Sequence, residues 1–199
     1  MPVDTREDPT EAHRHLRHDD QLARLIDRHG YLVIQPAPDP FRRLVKAIAR
    51  QQVSMASAAA IWERLTDAFD VTPAEIRAAD PAALQEVGLS EAKSEYVKAT
   101  AEAFEERDMS RETFADLSDE AVMEELTEIR GIGPWTAKMF LQFGLGREDV
   151  FPVEDLGIRH AMETRYGIES RSAMRERAAE WAPYRSIGSL YLWRTGGEE

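Results

Sequence analysis

"EIRGIGPWTAKMFLQFGLGREDVFPVEDLGIRH", residues 128–160, contains the pattern that decides the fold. Gly131 and Gly133 permit backbone angles closed to other residues, and Pro134 can start a helix because its missing N–H costs nothing there. The pattern therefore predicts two helices joined by a tight turn. The first N–H groups of the second helix can hold an anion such as a phosphate without any Lys or Arg. An ordinary turn between two helices is the alternative, and G-x-G alone does not exclude it.

The composition is that of an ordinary globular protein. A chain of 199 residues with 43% hydrophobic content can bury a core in one domain or two small lobes. No apolar run approaches the ~20 residues that span a bilayer, and the polar N-terminus lacks the features of a signal peptide, so we expect no membrane association and a cytoplasmic protein. Cysteine is absent, which excludes disulfides, thiolate nucleophiles and iron–sulfur clusters.

The net charge is −12, and the chain has only four lysines. Proteins that bind nucleic acids are usually basic, so this balance argues against a DNA partner. A phosphate held by helix N–H groups would answer that objection. An acidic, lysine-poor surface also suits a salt-rich cytoplasm, because the Debye length is ~3 Å at 1 M salt; a merely acidic protein is the alternative.

Helical periodicity dominates the rest of the chain. Residues 41–69 predict two core helices with a break near Gln52–Ser57, Ser118 caps the helix before the hairpin, and residues 172–194 predict two helices split at Pro183. Only "GYLVIQP" alternates as a strand does, so we expect at most a short extended segment near residues 31–35. We therefore predict an all-α fold, a single domain over residues 1–199 with two helical lobes and a cleft between them.

The hairpin resembles a known family. "GIGPWTAKMF" (131–140) followed by "DVFPVEDLGIRH" (149–160) resembles the helix-hairpin-helix DNA glycosylase superfamily, and within it the 3-methyladenine DNA glycosylase II type. Residues 39–65, 88–104 and 181–194 also resemble that type, so the resemblance covers nearly all of residues 14–195. It implies a helix-hairpin-helix motif at about 118–145, an active-site cleft between the lobes, and base excision repair. The reaction would hydrolyse the N-glycosidic bond of an alkylated base flipped out of duplex DNA, leaving an abasic site.

Asp155 is the candidate catalytic residue. It lies 20 residues after Trp135, where the family has its catalytic aspartate. Breaking an N-glycosidic bond leaves positive charge on the sugar, and a carboxylate beside C1′ stabilises that charge or helps a water attack. Asp155 can also cap the following helix, a role compatible with catalysis. We expect Glu154 and Asp149 to be solvated acids.

The residue after Pro134 bears on the mechanism. Family members that also cut the DNA backbone have a lysine there, which attacks C1′ as an amine, whereas this chain has Trp135. An indole cannot form a Schiff base, and Lys138 lies on another side of the helix. The resemblance therefore implies a monofunctional hydrolase without lyase activity.

Base flipping needs a side chain that fills the gap and a pocket for the base. Gln52 matches the family's intercalating position, although a Gln at a helix end is usually only exposed. Trp135 and Trp193 resemble the family's pocket aromatics, whose rings would attract cationic alkylated purines, although each could be core. Met139 replaces the aromatic residue often found at its position in this pocket, which leaves the range of substrates open.

The resemblance also implies how the hairpin binds double-stranded DNA. The expected contacts come from Gly131, Gly133, Thr136 and Ala137. It further suggests a structural Na⁺ or K⁺ held by the carbonyls of Thr127, Ile129 and Ile132. The histidines (His13, His15, His18, His29 and His160) show no ligand spacing, so we predict no transition metal, no required cofactor and a monomer.

Two other functions are possible. The first is a helix-hairpin-helix module without catalytic activity that binds lesions or acts as a scaffold, which would not need a carboxylate at position 155. The second is a helical interaction protein without a nucleic-acid role, which would not need the glycine hairpin.

Overall fold

The computed structural model describes residues 3–195, which divide into two compact units. The first unit combines the chain up to Pro36 with the chain from Gly146 onward, and the second is Ala37–Leu145. These units agree with the two predicted lobes. The first unit contains β1 (Val3–Arg6), α1 (Glu11–Leu16), α2 (Asp20–His29), β2 (Tyr31–Ile34), α11 (Leu156–Tyr166), α12 (Arg171–Ala179) and α13 (Arg185–Thr195).

The second unit is helical throughout. It contains α3 (Pro40–Arg50), α4 (Met55–Ala68), α5 (Pro73–Ala78), α6 (Pro81–Glu86), α7 (Glu91–Glu106), α8 (Arg111–Ala115), α9 (Asp119–Thr127) and α10 (Pro134–Phe140), which continues into a π-helical turn, Leu141–Leu145. The mostly helical prediction is confirmed. Among residues 3–195, no helix has the length and apolarity to span a bilayer.

Helix starts follow the capping signals of the sequence. Asp39, Thr72 and Asp80 each accept a hydrogen bond from the first turn and precede a proline at its start. Ser118 caps α9 as predicted. The break between α3 and α4 spans residues 51–54, slightly earlier than predicted, and the break around Pro183 lies between α12 and α13.

The first unit is built on the packing of α2 and α11 against α13. β1 and β2 pair antiparallel, with Val3 opposite Ile34 and Arg6 opposite Tyr31. The predicted extended segment is thus the strand β2, but its partner β1 was not predicted, because its described side chains are polar and exposed. The Tyr191 hydroxyl accepts from the Leu32 N–H at 3.0 Å and fastens β2 to α13.

A buried carboxylate joins three helices of this unit. Asp19, only 5% exposed, caps α2 through the N–H groups of its first turn. It also accepts from the Tyr166 hydroxyl at 3.0 Å, from Arg177 at 2.6 Å and from the Trp181 indole at 2.9 Å. Because these donors satisfy both oxygens of the Asp19 carboxylate, they offset the free-energy cost of burying its charge.

In the second unit, α3 packs against α7, α10 and the π-helical turn. The core face of α3 is apolar, with Leu44, Val45 and Ile48 fully buried. The Lys93 ammonium of α7 donates to the Ala49 carbonyl at 2.8 Å, near the C-terminus of α3. This contact fixes the end of α3 from which the loop 51–54 departs.

Candidate functional site

Asp155 lies at the start of α11, after a loop anchored by the buried residues Phe151, Pro152 and Val153. Its Oδ1 accepts a hydrogen bond from the Ile158 N–H at 3.1 Å, so the predicted capping role is present. The Asp155 N–H donates to the Pro152 carbonyl at 2.9 Å, which closes the preceding turn. The backbone around the carboxylate is therefore fixed on both sides.

Trp193 of α13 donates its indole N–H to the same Oδ1 of Asp155 at 2.9 Å. Two donors from different elements thus orient this carboxylate. The sequence predicted Trp193 as a pocket aromatic and gave no sign of this hydrogen bond. A stacking role for the ring stays a prediction.

Gly157 is a further residue of this site that the sequence did not single out. A Cβ there would lie 3.2 Å from Asp155 Oδ1 and 3.3 Å from Trp193 Cδ1, closer than ordinary packing contacts. A glycine inside a helix costs about 1 kcal/mol relative to alanine, so its presence in the first turn of α11 was the available signal. It leaves room for the hydrogen bond between Asp155 and Trp193.

The neighbouring acids Asp149 and Glu154 are partly exposed, but each lies beside an arginine, so the expectation that they are simply solvated was wrong. Asp149 is half-buried and forms a bidentate ion pair with Arg185, with Oδ1–Nε at 2.7 Å and Oδ2–Nη2 at 2.9 Å. Burial raises the pKa of Asp149, but the hydrogen bonds and charge of Arg185 outweigh it, so the pKa lies below its ordinary value. Glu154 has a side chain 24% exposed and lies 3.8 Å from Arg175.

The hairpin of the second unit uses its two glycines differently. Gly131 has a φ of +89°, and a Cβ there would overlap the ring of Tyr96 on α7, so both conformation and space require glycine. Gly133 has a φ of −97°, which any residue adopts, and a Cβ would meet nothing within 4 Å. Gly133 therefore does not use the backbone freedom that glycine permits.

The loop 51–54 is joined to the hairpin by Gln51. Its Nε2 donates to the Gly131 carbonyl at 2.9 Å and to the Thr136 hydroxyl at 3.0 Å. The sequence had singled out only Gln52, which is exposed and has a φ of +54°, rare for a residue other than glycine. Both glutamines line a surface cavity of about 650 Å³ together with the hairpin residues 127–133.

The other predicted hairpin residues are mostly buried. The Thr136 and Ala137 side chains are buried, and the Ala137 N–H donates to the Gly133 carbonyl at 3.0 Å. Trp135 is half-buried and Met139 is 3% exposed. Contacts of these residues with DNA or a base stay predictions.

The three carbonyls predicted to bind a cation lie in the hairpin. The Ile129 carbonyl oxygen accepts a hydrogen bond from the Ile132 N–H at 3.0 Å. A carbonyl oxygen has two lone pairs, so the second one can still bind a cation. Among the described residues, none donates a hydrogen bond to the carbonyls of Thr127 or Ile132 across the turn. Oxygen ligands of this kind fit a hard monovalent cation.

Comparison with known proteins adds the decisive observation. A family model described as HhH-GPD superfamily base excision DNA repair protein matches residues 45–184. The chain belongs to this superfamily. The matched region includes the loop 51–54, the hairpin and Asp155, whereas Trp193 lies beyond it.

Individual members of the HhH-GPD superfamily are similar in sequence to most of this chain. A putative DNA-3-methyladenine glycosylase of Bacillus subtilis is 31% identical over 87% of this chain, which spans 65% of that relative. DNA-3-methyladenine glycosylase 1 of Schizosaccharomyces pombe is 32% identical over 88% of this chain and 80% of its own length. The solved structure of the S. pombe glycosylase in complex with abasic DNA covers 94% of this chain and 97% of its own, with a TM-score of 0.86 and 32% identity.

Proposed function

We propose that this chain is a DNA glycosylase that releases 3-methyladenine-type alkylated bases from duplex DNA. The observation that carries the proposal is the Asp155 carboxylate, oriented by Trp193 and by the N-terminus of α11 in a chain of the HhH-GPD superfamily. Relatives 31% and 32% identical bear the name DNA-3-methyladenine glycosylase, which supports this substrate class.

In the proposed reaction, the bond between C1′ and the base nitrogen breaks, and its electron pair leaves with the base. The Asp155 carboxylate stabilises the positive charge that develops on the sugar. A water then adds at C1′ and loses a proton, which yields the abasic site. Fixed donors hold the carboxylate in place, so little reorganisation is needed when charge develops.

We infer that the enzyme is monofunctional. Trp135 stands where the bifunctional members have their lysine, and an indole cannot form a Schiff base with C1′. Lys138 lies three residues further along α10, and because residues three apart on a helix are neighbours, the expectation that it lies on another side of the helix was wrong. The borohydride test below therefore addresses Lys138 directly.

DNA binding in this proposal uses the hairpin and the loop 51–54. The space beside Gly133 permits close approach of a phosphate to the backbone. Gln52, exposed at the tip of its loop, would fill the gap left by the flipped base. A Na⁺ or K⁺ on the carbonyls of Thr127, Ile129 and Ile132 would place positive charge next to that phosphate.

The test is incubation of the protein with alkylated duplex DNA, followed by chromatography of the released bases and by borohydride trapping. We expect free alkylated purine and no trapped protein–DNA adduct. Tight binding to the lesion without base release would instead support the module without catalytic activity. An adduct through Lys138 would contradict the monofunctional mechanism.

A further inference from the structure

The helix α3 has a charge pattern opposite to that of the whole chain. The 37 acidic residues are spread over 199 positions, yet the 23 positions from Pro40 to Trp62 contain none. The same segment has four basic residues, all on α3: Arg42, Arg43, Lys46 and Arg50. We call these the α3 cations.

Arg43 is a buried guanidinium that, among residues 3–195, has neither a hydrogen-bond acceptor nor an ion-pair partner. It is only 6% exposed, and its Nε is sealed from solvent without an acceptor. Its described contact is with the ring of Phe143, 4.8 Å from Cζ, and none of residues 3–195 offers it a carboxylate. Burial, and next the charge of Arg50, lower the pKa of Arg43 to about 10. An uncompensated buried cation is costly.

Lys46 repeats this pattern one helical turn further along. Its ammonium lies 5.1 Å from the centre of the Trp62 ring, and within residues 3–195 it has neither a hydrogen bond nor an ion pair. Burial, followed by the charges of Arg43, Arg50 and Arg42, lowers the pKa of Lys46. Residues three apart on a helix are neighbours, so the two charges repel.

Three other cations with buried or half-buried side chains do have acceptors. Lys93 donates to the Ala49 carbonyl, and Lys98 donates to the carbonyls of Arg77 and Ala79 at 2.7 and 2.5 Å. Arg177, also half-buried, pairs with Asp19 at 2.6 Å. Within the part of the chain that the structure describes, Arg43 and Lys46 lack the acceptor atoms that these three cations have.

We propose that Arg43 and Lys46 together bind one phosphate of the DNA backbone, at a position separate from the hairpin. The proposal rests on the proposed function. A phosphate supplies the acceptor oxygens and the negative charge that both side chains lack. DNA is the favoured source because α3 leads directly into the loop 51–54, which Gln51 bonds to the hairpin. A local cationic site would also let a chain of net charge −12 bind DNA.

The first test compares Lys46→Met with the control Lys98→Met, which makes the same charge change in the same unit. The affinity for an abasic-site duplex is measured at several salt concentrations. We expect the slope of log K against log salt to become shallower by about 0.9 for Lys46→Met and to stay unchanged for Lys98→Met, as for the loss of one phosphate contact. Equal slopes for both variants would overturn the proposal.

Arg43→Met separates binding from a structural role. Replacing an unpaired buried cation with an apolar side chain of similar size should leave the melting temperature unchanged or raise it. We expect weaker DNA binding together with undiminished thermal stability. A lower melting temperature with unchanged DNA affinity would show that Arg43 is structural and would overturn the proposal.

A double-mutant cycle identifies the phosphate even if Arg43→Met folds poorly. Single neutral methylphosphonates are placed along the abasic duplex, and we expect one position to weaken the wild type several-fold but Lys46→Met hardly at all. Additivity at every position would contradict the proposal. Inorganic phosphate that stabilises the wild type but not Lys46→Met, without any coupling to DNA, would assign the site to a free anion and overturn the DNA assignment. None of these measurements requires base release, so failure of the glycosylase proposal is a separate result.

Discussion

One oxygen atom of Asp155 accepts hydrogen bonds from two different helices. Its Oδ1 caps α11 through Ile158, and the same atom accepts from Trp193, 38 residues away in the chain. The capping role could be predicted because it depends on local sequence. The contact with Trp193 could not, because it depends on how α11 and α13 pack.

Trp193→Phe tests this contact at the residue scale. The change removes the indole N–H but keeps an aromatic ring, so stacking on a base would survive. A hydrogen bond to a charged group contributes about 1.5–3 kcal/mol, and we therefore expect the single-turnover rate of base release to fall about tenfold or more. Affinity for an abasic duplex and the melting temperature should change little. An unchanged rate would favour stacking as the role of Trp193.

At the scale of elements, the hairpin shows which part of a motif the fold requires. Position 131 requires glycine, because its φ is positive and a Cβ would overlap the ring of Tyr96. At position 133, neither the backbone angles nor the neighbouring atoms require glycine. The G-x-G pattern predicted the turn but not this difference, because Tyr96 comes from a helix distant in sequence. The strand β1 was missed for a similar reason, since its pairing with β2 rather than its own polar residues makes it a strand.

Gly133→Ala and Gly131→Ala form a matched pair. We expect Gly131→Ala to lower stability, because the new methyl group overlaps Tyr96 at a backbone conformation that alanine avoids. Gly133→Ala should leave thermal stability within about 1 kcal/mol of the wild type, while the methyl group obstructs close approach of a phosphate. Melting curves and titrations with an abasic duplex measure both effects. Undiminished DNA binding by Gly133→Ala would contradict the proposed hairpin contact.

At the scale of the whole molecule, the sequence predicted the helical class and the two lobes, whereas the roles of the predicted site residues stay predictions. It did not predict Gln51, Gly157 or the ion pair of Asp149, because these depend on contacts between elements distant in the chain. Net charge alone was misleading about a DNA partner, since the acidic residues are unevenly distributed. The predicted cleft between the lobes and the adaptation to high salt stay predictions.

His13 gives the folded chain a predictable pH dependence. It is fully buried, with Nδ1 accepting from the Thr10 N–H at 3.0 Å and Nε2 bonded to the Leu32 carbonyl at 3.0 Å. Burial lowers its pKa below 6.5, the Leu32 hydrogen bond opposes this, and Arg17 and Arg6 lower it further. The unfolded chain therefore takes up this proton at a higher pH than the folded one. The stability that neutral His13 contributes is complete above about pH 6.5 and is lost as pH falls through the lowered pKa.

Urea unfolding between pH 5 and 8 measures this effect. We expect the free energy of unfolding to decrease below about pH 6.5, by at most about 1.4 kcal/mol per pH unit from this group. His13→Gln should show a flatter profile, whereas His18→Gln, at an exposed position, should follow the wild type. The same pH dependence in all three proteins would exclude His13 as its source.

The most direct test of the proposed catalytic centre is Asp155→Asn. Asparagine keeps an oxygen that can accept from Ile158 and Trp193, so the fold and the position of the side chain should persist, but the negative charge is lost. Single-turnover release of alkylated base is measured beside thermal melting and binding to an abasic duplex. We expect the rate to fall on the order of 10²-fold or more, with melting within about 1 kcal/mol of wild type and binding maintained. Normal melting with near-normal base release would contradict the assignment of Asp155 as the catalytic carboxylate.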